Sequence, residues 1–145
     1  MQIRQMEVRD VSAVVTLEAS CLSSWTLRQV EAELGRKTGI ALVAISLSGE
    51  VQGWCCGLLV GPDAELLKVA VSPQWQRQGV AGALLHELCR QLVARNGEKI
   101  FLEVRSQNIP ALQLYAKLGW TEVGCRKHYY KEPADDALIF VNNLQ

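Results

Sequence analysis

The sequence predicts an α/β fold in which four helices flank a mixed central β-sheet of about seven strands. Segments rich in β-branched and apolar residues alternate along the chain with segments whose apolar residues recur at helical spacing. The predicted order is β-α-α-β-β-β-α-β-α-β-β, with helices before, within and after the run of strands. Such an order is typical of an α/β domain and excludes both a helical bundle and a β-sandwich.

The first half of the chain predicts two helices and then three strands, after one short opening strand. Asp10 is expected to cap the first helix, and Thr26 with Gln29 forms a capping box at the start of the second. Gly35 and Gly39 are expected to end that second helix. The three strands are predicted over residues 40–48, 51–60 and 65–71, with turns rich in Gly, Ser and Pro between them.

The second half predicts two helices that alternate with strands. A long apolar stripe predicts a helix over residues 80–95, and Asn108 is expected to cap a second helix that carries Pro110 in its first turn. The strands are predicted over residues 100–104, 121–129 and 137–143. A polar loop that contains three acidic residues is expected between the last two strands, and these residues are Glu132, Asp135 and Asp136.

Length, charge and cysteine content exclude several functional classes. We expect residues 1–145 to form a single domain, since 49% of them are hydrophobic and 21% charged. Fifteen basic residues balance fifteen acidic ones, so no domain-wide positive field would attract nucleic acid. The five cysteines are odd in number and form no C-x-x-C pair, which argues against disulfides and zinc and favours small apolar fillers in a reducing cytosol. Without a signal peptide or membrane-spanning run, the chain is expected to be cytoplasmic, with no membrane partner and no metal.

An anion-binding loop is predicted where the third of the three consecutive strands meets the long helix. Gly79, Ala81 and Gly82 open the helix, and such small residues let backbone N–H groups approach an anion closely. The helix dipole adds about half a positive charge at the same point. Arg77 supplies a formal charge nearby, while the absence of G-K-[ST] excludes a Walker loop.

The spacing Q-x-x-G-x-A from Gln76 to Ala81 resembles the pyrophosphate loop of GNAT acetyltransferases, and a second segment strengthens the likeness. The run from Leu102 to Trp120 is similar to the family signature L-x-V-x-x-x-N-x-x-A-x-x-L-Y-x-x-x-G-F/W, with its spacings intact. The resemblance implies the GNAT fold and acetyl-CoA as cosubstrate. It also implies a set of cofactor-binding residues, namely Val69, Ala70, Val71, Arg77, Gln78, Gly79, Val80, Ala81, Gly82, Asn108 and Tyr115.

Within that family the chain is similar to the RimI-type ribosomal-protein alanine acetyltransferases. The likeness lies in L-E-V-R at residues 102–105, the tyrosine pair Tyr129 and Tyr130, and the late acidic stretch. It implies transfer of acetyl to the N-terminal α-amine of a protein, and specifically of a small-subunit ribosomal protein. Ser24 departs from the pattern, because it stands where a proline is usual. The loop before Thr26 and residues 129–136 are expected to border the acceptor groove.

The chemistry of acetyl transfer suggests two catalytic residues. An α-amine with a pKa of about 7.7–8.0 is largely protonated at neutral pH, and Glu103 at a strand end is the candidate general base. Tyr115 is the candidate general acid for the leaving thiolate, and N–H groups of residues 68–71 would stabilise the oxyanion. Attack is expected to be direct, with no covalent enzyme intermediate.

Simpler interpretations of the same residues stay open. Glu103 would pair with Arg105 or Lys99 if it were an ordinary surface carboxylate, Tyr115 would fill the core, and Asn108 would serve only as a helix cap. The acidic residues would merely solvate a turn. At the level of function, the alternatives are a GNAT enzyme that acts on a small amine or a lysine side chain, and a non-catalytic acyl-CoA-binding module.

Overall fold

The computed structural model describes residues 1–144 and contains one mixed seven-stranded sheet flanked by four α-helices, as the sequence predicted. The strands are β1 (Gln2–Gln5), β2 (Gly39–Ile45), β3 (Val51–Val60), β4 (Asp63–Val71), β5 (Lys99–Arg105), β6 (Thr121–Lys131) and β7 (Ala134–Asn143). The helices are α1 (Val11–Glu18), α2 (Leu27–Ala32), α3 (Val80–Ala94) and α4 (Ile109–Lys117). Two short 3₁₀ turns, which the sequence did not predict, lie at Val8–Asp10 and Pro73–Trp75.

The sheet opens in its middle, between β4 and β5. Its strand order is β1-β2-β3-β4-β5-β7-β6, and every neighbouring pair is antiparallel except β4 and β5. These two parallel strands pair only from Asp63 to Glu65 and from Lys99 to Phe101. Their later halves, residues 66–71 and 102–105, therefore face each other without pairing, and we call the gap between them the split.

Two separate hydrophobic cores cover the two faces of the sheet. Helices α3 and α4 cover one face, which we call the α3/α4 face, with buried Leu84, Leu88 and Tyr115. Helices α1 and α2 cover the other, the α1/α2 face, where Val14 and Trp54 are fully buried. Truncation of one such core leucine to alanine costs about 2–5 kcal/mol, so both cores are needed to hold the open sheet.

At the first two α-helices, the structure confirms one predicted N-cap in full and the other only in its position. Thr26 Oγ1 accepts a hydrogen bond from the N–H of Gln29 at 3.3 Å, and Gln29 Oε1 accepts from the N–H of Thr26 at 2.8 Å, so the capping box is present. Asp10 stands at the N-cap position of α1, but its side chain makes no capping hydrogen bond there. Its carboxylate instead accepts from the Arg4 guanidinium at 2.7 and 2.9 Å and from the N–H of Glu7 at 2.7 Å.

Some predicted boundaries and burial classes also need correction. Helix α2 ends at Ala32, before Gly35, because the N–H groups of Glu33 and Leu34 donate to the carbonyls three residues back, in a tighter 3₁₀ turn. Cys55 and Cys56 are buried as apolar fillers, but Cys125 is exposed on β6, so the filler interpretation is wrong there. No helix within residues 1–144 is long and apolar enough to cross a membrane.

Candidate active site

Backbone groups of β4 face the split. The N–H of Ser72 donates to the carbonyl of Gln52 on β3 at 2.8 Å, so the Ser72 N–H points towards β3 and away from the split. Successive residues of a strand direct their N–H groups to opposite sides, which places those of Val69 and Val71 in the split. Gln76 Nε2 donates to the Val71 carbonyl at 3.2 Å, as that orientation requires. Val69 and Val71, both predicted to contact the cofactor, therefore present backbone N–H groups there.

The predicted anion-binding loop curls so that several N–H groups are left without partners. Arg77 and Gly79 both have left-handed backbones, with φ of 62° and 84°. Gly79 precedes the first turn of α3 and provides no side-chain cap, and the first intrahelical hydrogen bond runs from Ala83 N–H to Gly79 O at 3.0 Å. The N–H groups of residues 80–82 have no hydrogen-bond partner within the described chain. Such a run of free donors at a helix N-terminus suits a phosphate.

Glu103 and Tyr115 lie on opposite faces of the sheet, next to the split. Leu102 and Val104 on β5 belong to the core of the α3/α4 face, so alternation along the strand directs Glu103 to the α1/α2 face. Tyr115 lies on α4, in the core of the α3/α4 face. The structure thus brings the two predicted catalytic residues to one gap from two sides. It does not bring them together on one surface.

Tyr115 is held by aromatic packing and has a free hydroxyl. Its side chain is 4% exposed, and its ring centroid lies 5.5 Å from that of Trp120 and 6.2 Å from that of Phe140. Burial raises the pKa of the phenol, and the nearby Cys55 and Tyr130 add to the rise. Within residues 1–144 the hydroxyl makes no hydrogen bond. Tyr115 is therefore part of the core, as the simpler interpretation held, and also carries a proton that no protein group accepts.

Glu103 is half-buried and shares its carboxylate with one cation. Arg126 on β6 lies 3.6 Å from Glu103 Oε1, with the two side chains 56% and 25% exposed. This partner differs from the Arg105 and Lys99 that the sequence suggested. Burial raises the pKa of the Tyr130 phenol, and the negative charge of Glu103 adds to that rise. A positively charged group of another molecule would have to compete with Arg126 for this carboxylate.

Asn108 serves as the helix cap that the simpler interpretation foresaw. Its Oδ1 accepts from the N–H of Ala111 at 3.3 Å at the start of α4. The residue is exposed, which leaves its amide N–H₂ group on the surface.

The predicted acidic loop is wrong, because two of its three acidic residues belong to β7. Asp135 is buried, and its carboxylate accepts from Ser106 Oγ and from the N–H groups of Gln107 and Asp136. The Asp136 carboxylate accepts from the N–H of His128 at 2.8 Å and lies 3.4 Å from Lys127 Nζ. Hydrogen bonding, chiefly from Ser106, lowers the pKa of Asp135. These carboxylates connect strands and do not form a free negative surface.

Sequence reasoning missed a polar network on the α1/α2 face. Glu18 is fully buried and accepts from the Trp54 indole at 2.8 Å and the N–H of Trp25 at 3.0 Å, while Lys68 Nζ lies 3.2 Å away. Lys68 also donates to the carbonyl of Ser23 at 2.9 Å. The only sequence signal was the presence of charged residues in otherwise apolar elements.

One surface depression of the structure lies away from these residues. It has a volume of about 950 Å³ and lies between α1 and the turn after β2, near Pro73. Neither Glu103 nor Tyr115 lines it. Within residues 1–144, no group of three or more His, Cys, Asp or Glu side chains is placed to hold a metal ion.

Comparison with known proteins gives one consistent match. The model of the acetyltransferase (GNAT) family matches residues 11–120. A Bacillus subtilis protein provisionally named [ribosomal protein bS18]-alanine N-acetyltransferase is 34% identical over 141 residues, which cover 94% of this chain and 91% of that protein. The [ribosomal protein bS18]-alanine N-acetyltransferase of Escherichia coli K12 is 35% identical over 97 residues, which cover 66% of each chain.

Solved structures agree with this match. The crystal structure of the ribosomal-protein-S18-alanine N-acetyltransferase from Escherichia coli superposes with a TM-score of 0.90 and 27% identity, covering 99% of this chain and 94% of that one. Arabidopsis thaliana NAA60 in complex with a bisubstrate analogue has a TM-score of 0.89, with 98% and 97% of the two chains covered. At 16% identity, that second likeness concerns the fold alone.

Proposed function

Because the chain belongs to the acetyltransferase (GNAT) family, we propose that it transfers acetyl from acetyl-CoA to the N-terminal α-amine of a protein, specifically a small-subunit ribosomal protein. The observation that carries the proposal is the placement of cofactor-suited groups and of Glu103 on opposite sides of the split. An amine and a thioester that approach from two faces meet only there. The names of the bacterial relatives, which refer to the alanine of ribosomal protein bS18, support the choice of acceptor.

The residues of the α3/α4 side fit coenzyme A. The free N–H groups of Val80, Ala81 and Gly82, with the dipole of α3 behind them, suit the pyrophosphate. The backbone groups of Val69 and Val71 in the split suit the amides of an extended pantetheine chain. When bound, acetyl-CoA supplies an activated acyl group whose thiolate leaves on transfer.

Glu103 is the proposed general base. The acceptor α-amine, with a pKa of about 7.7–8.0, must lose a proton before it attacks, and a carboxylate on the α1/α2 face accepts it directly or through water. Tyr115 is the proposed general acid, because its buried phenol keeps its proton at neutral pH and has no acceptor of its own. The N–H groups of β4 in the split are placed to stabilise an oxyanion.

Thiol-release kinetics with acetyl-CoA would test this proposal. The acceptors are peptides that differ at their first residue, together with a free polyamine and a peptide blocked at its N-terminus that carries one lysine. We expect turnover of peptides with a small first residue. Better turnover of the polyamine would favour an enzyme that acts on small amines, and better turnover of the blocked peptide would favour one that acts on lysine side chains. Binding of acetyl-CoA without any turnover would indicate the non-catalytic module.

Glu103→Gln provides the decisive variant within this assay. We expect kcat/KM to fall on the order of 10²- to 10⁴-fold, as is usual when a general base is removed. Glu122→Gln is the matched control, since Glu122 is an exposed carboxylate on β6 and we expect it to leave kcat/KM unchanged. An equal, small effect of both substitutions would contradict the role of Glu103.

A further inference from the structure

One residue of the loop between α1 and α2 is held from both sides of the split. The carbonyl of Ser23 accepts from Lys68 Nζ of β4 at 2.9 Å, and Ser23 Oγ accepts from Arg105 Nε of β5 at 3.0 Å. Lys68 and Arg105 both lie beyond Glu65 and Phe101, the last residues at which these two strands pair. The contacts through Ser23 therefore bridge the part of the sheet that backbone pairing leaves open.

Arg105 also reaches the second segment that is expected to border the acceptor groove. Its Nη1 donates to the carbonyl of Pro133 at 2.8 Å and its Nη2 to that of Glu132 at 3.3 Å, both at the turn between β6 and β7. The guanidinium lies 4.2 Å from the centroid of the Tyr130 ring. With 8% exposure, this one side chain connects the α1–α2 loop, β5 and the β6–β7 turn.

We propose that Arg105, together with Lys68 and through Ser23, is a positioning residue that fixes the width and register of the acceptor groove beside Glu103. This inference rests on the proposed function, since it concerns where the acceptor amine is held. Arg105 lies two residues after Glu103 on β5, so the two side chains share one face of the strand. A shift of the guanidinium would move both borders of the groove relative to the Glu103 carboxylate.

The planar fork of arginine suits this task in a way that lysine does not. Three acceptors in different directions, one serine hydroxyl and two carbonyls, are satisfied by three nitrogen atoms of one rigid group. Lysine keeps the positive charge, but its single ammonium on a flexible stem cannot hold the same three acceptors at these places. The contacts lie on the α1/α2 face, away from the donors that suit coenzyme A.

The position of Lys68 is itself determined by a buried charge. Glu18 lies 3.2 Å from Lys68 Nζ and also accepts from the N–H of Trp25. Two residues of the loop, Ser23 and Trp25, are thus connected to the same ion pair at the end of α1. Because a buried carboxylate left without its partner is costly, this end of the loop is firmly placed in the unliganded protein.

Two mild substitutions test the role of Arg105. Ser23→Ala removes only the hydroxyl that accepts from Arg105 Nε, and Arg105→Lys keeps the charge. For both, we expect the KM of the peptide acceptor to rise about 5- to 20-fold, because a displaced groove border no longer holds the acceptor amine in place beside Glu103. We expect the affinity for acetyl-CoA, measured by calorimetry, to stay within about twofold. Arg95→Lys is the control, because Arg95 makes one long contact of 3.4 Å to Gly39 O far from the groove.

A second measurement does not depend on activity. In Ser23→Ala, we expect the backbone amides of residues 20–26 to exchange hydrogen faster while those of α3 keep their protection. An unchanged acceptor KM in both variants, an equal loss of acetyl-CoA affinity, or unchanged exchange in the loop would each overturn the inference. Failure of the proposed function is distinguishable, since it would appear as no turnover of any peptide by the unaltered protein.

Discussion

The two sides of the split offer different chemical groups to a ligand: backbone groups on one side and side chains on the other. On the cofactor side, the groups available to a ligand are backbone N–H donors of β4 and of residues 80–82, whose positions follow from the course of the chain. On the acceptor side, the groups are side chains held by other side chains, such as Glu103 with Arg126 and Lys68 with Glu18. A backbone site tolerates most substitutions except those that alter backbone conformation. A side-chain network depends on each of its members.

This difference fits what each side is proposed to recognise. Every acetyltransfer uses the same coenzyme, and phosphate and amide groups are well served by main-chain donors. The acceptor varies from enzyme to enzyme, and adjustable side chains allow its recognition to change without rebuilding the sheet. Substitutions on the two sides should therefore separate cleanly into effects on acetyl-CoA and effects on the acceptor.

Tyr115, the side chain of the α3/α4 face with a proposed chemical role, should give the largest effect. We expect Tyr115→Phe to lower kcat on the order of 10²- to 10⁴-fold, because it removes the proposed proton donor. Stability should hardly change, since the lost hydroxyl has no partner among residues 1–144. Thr121→Val, which removes an exposed hydroxyl at the start of β6, is the control. Activity of Tyr115→Phe within about threefold of the parent would mean that water or another group protonates the thiolate.

The pH dependence sharpens the same assignment. Burial, with the added effect of Cys55 and Tyr130, raises the pKa of Tyr115 above its ordinary value of 10.0. An acid with a raised pKa keeps its proton to higher pH. Deprotonation of Tyr115 should therefore not lower the kcat of the parent below about pH 10. A fall in kcat near pH 8 that disappears in Tyr115→Phe would contradict the raised pKa.

The next effect concerns acetyl-CoA binding alone. A Cβ at Gly79 meets nothing within 4 Å, so Gly79→Val causes no clash, but its φ of 84° is strained for any β-branched residue. We expect acetyl-CoA affinity to fall at least about 100-fold, because the loop can no longer direct its N–H groups at an anion. Gly61→Val is the matched control: it has a φ of 61° and equally open space, at the far end of β4. Equal affinity of both variants for acetyl-CoA, measured by calorimetry, would show that this loop does not bind the cofactor.

How much the sequence could predict follows the same division. Gly79, Asn108 and the Thr26–Gln29 box encode local backbone geometry, and local geometry depends on neighbours in the sequence. The hydroxyl of Ser23 and the guanidinium of Arg105, by contrast, are 82 residues apart in the chain. No periodicity in the sequence predicts such a contact, because a serine in a loop or an arginine at a strand end is usually solvated.

The acidic stretch shows the limit from another direction. Asp135 and Asp136 follow a proline, and two adjacent acidic residues near Pro133 are typical of an exposed turn. The longer strand β7 overrides that local preference because its pairing with β5 and β6 supplies partners for both carboxylates. Both carboxylates are therefore engaged within the protein and are not free to attract a basic residue of the acceptor.

The smallest expected effect tests whether Arg126 competes with the acceptor for Glu103. The pair is 3.6 Å apart and its arginine is exposed, so its strength is about 0.2–1 kcal/mol, equivalent to a factor of about 1.4 to 5 in binding. Replacing Arg126 with Gln leaves the carboxylate free to attract a cationic amine. We expect the acceptor KM to fall by that factor in low salt and to approach the parent value in high salt, where the attraction is screened. Lys127→Gln, which removes an exposed cation paired with Asp136, is the control and should leave KM unchanged. A KM for Arg126→Gln that equals or exceeds the parent value in low salt would show that Arg126 helps to place Glu103 and does not compete with the acceptor.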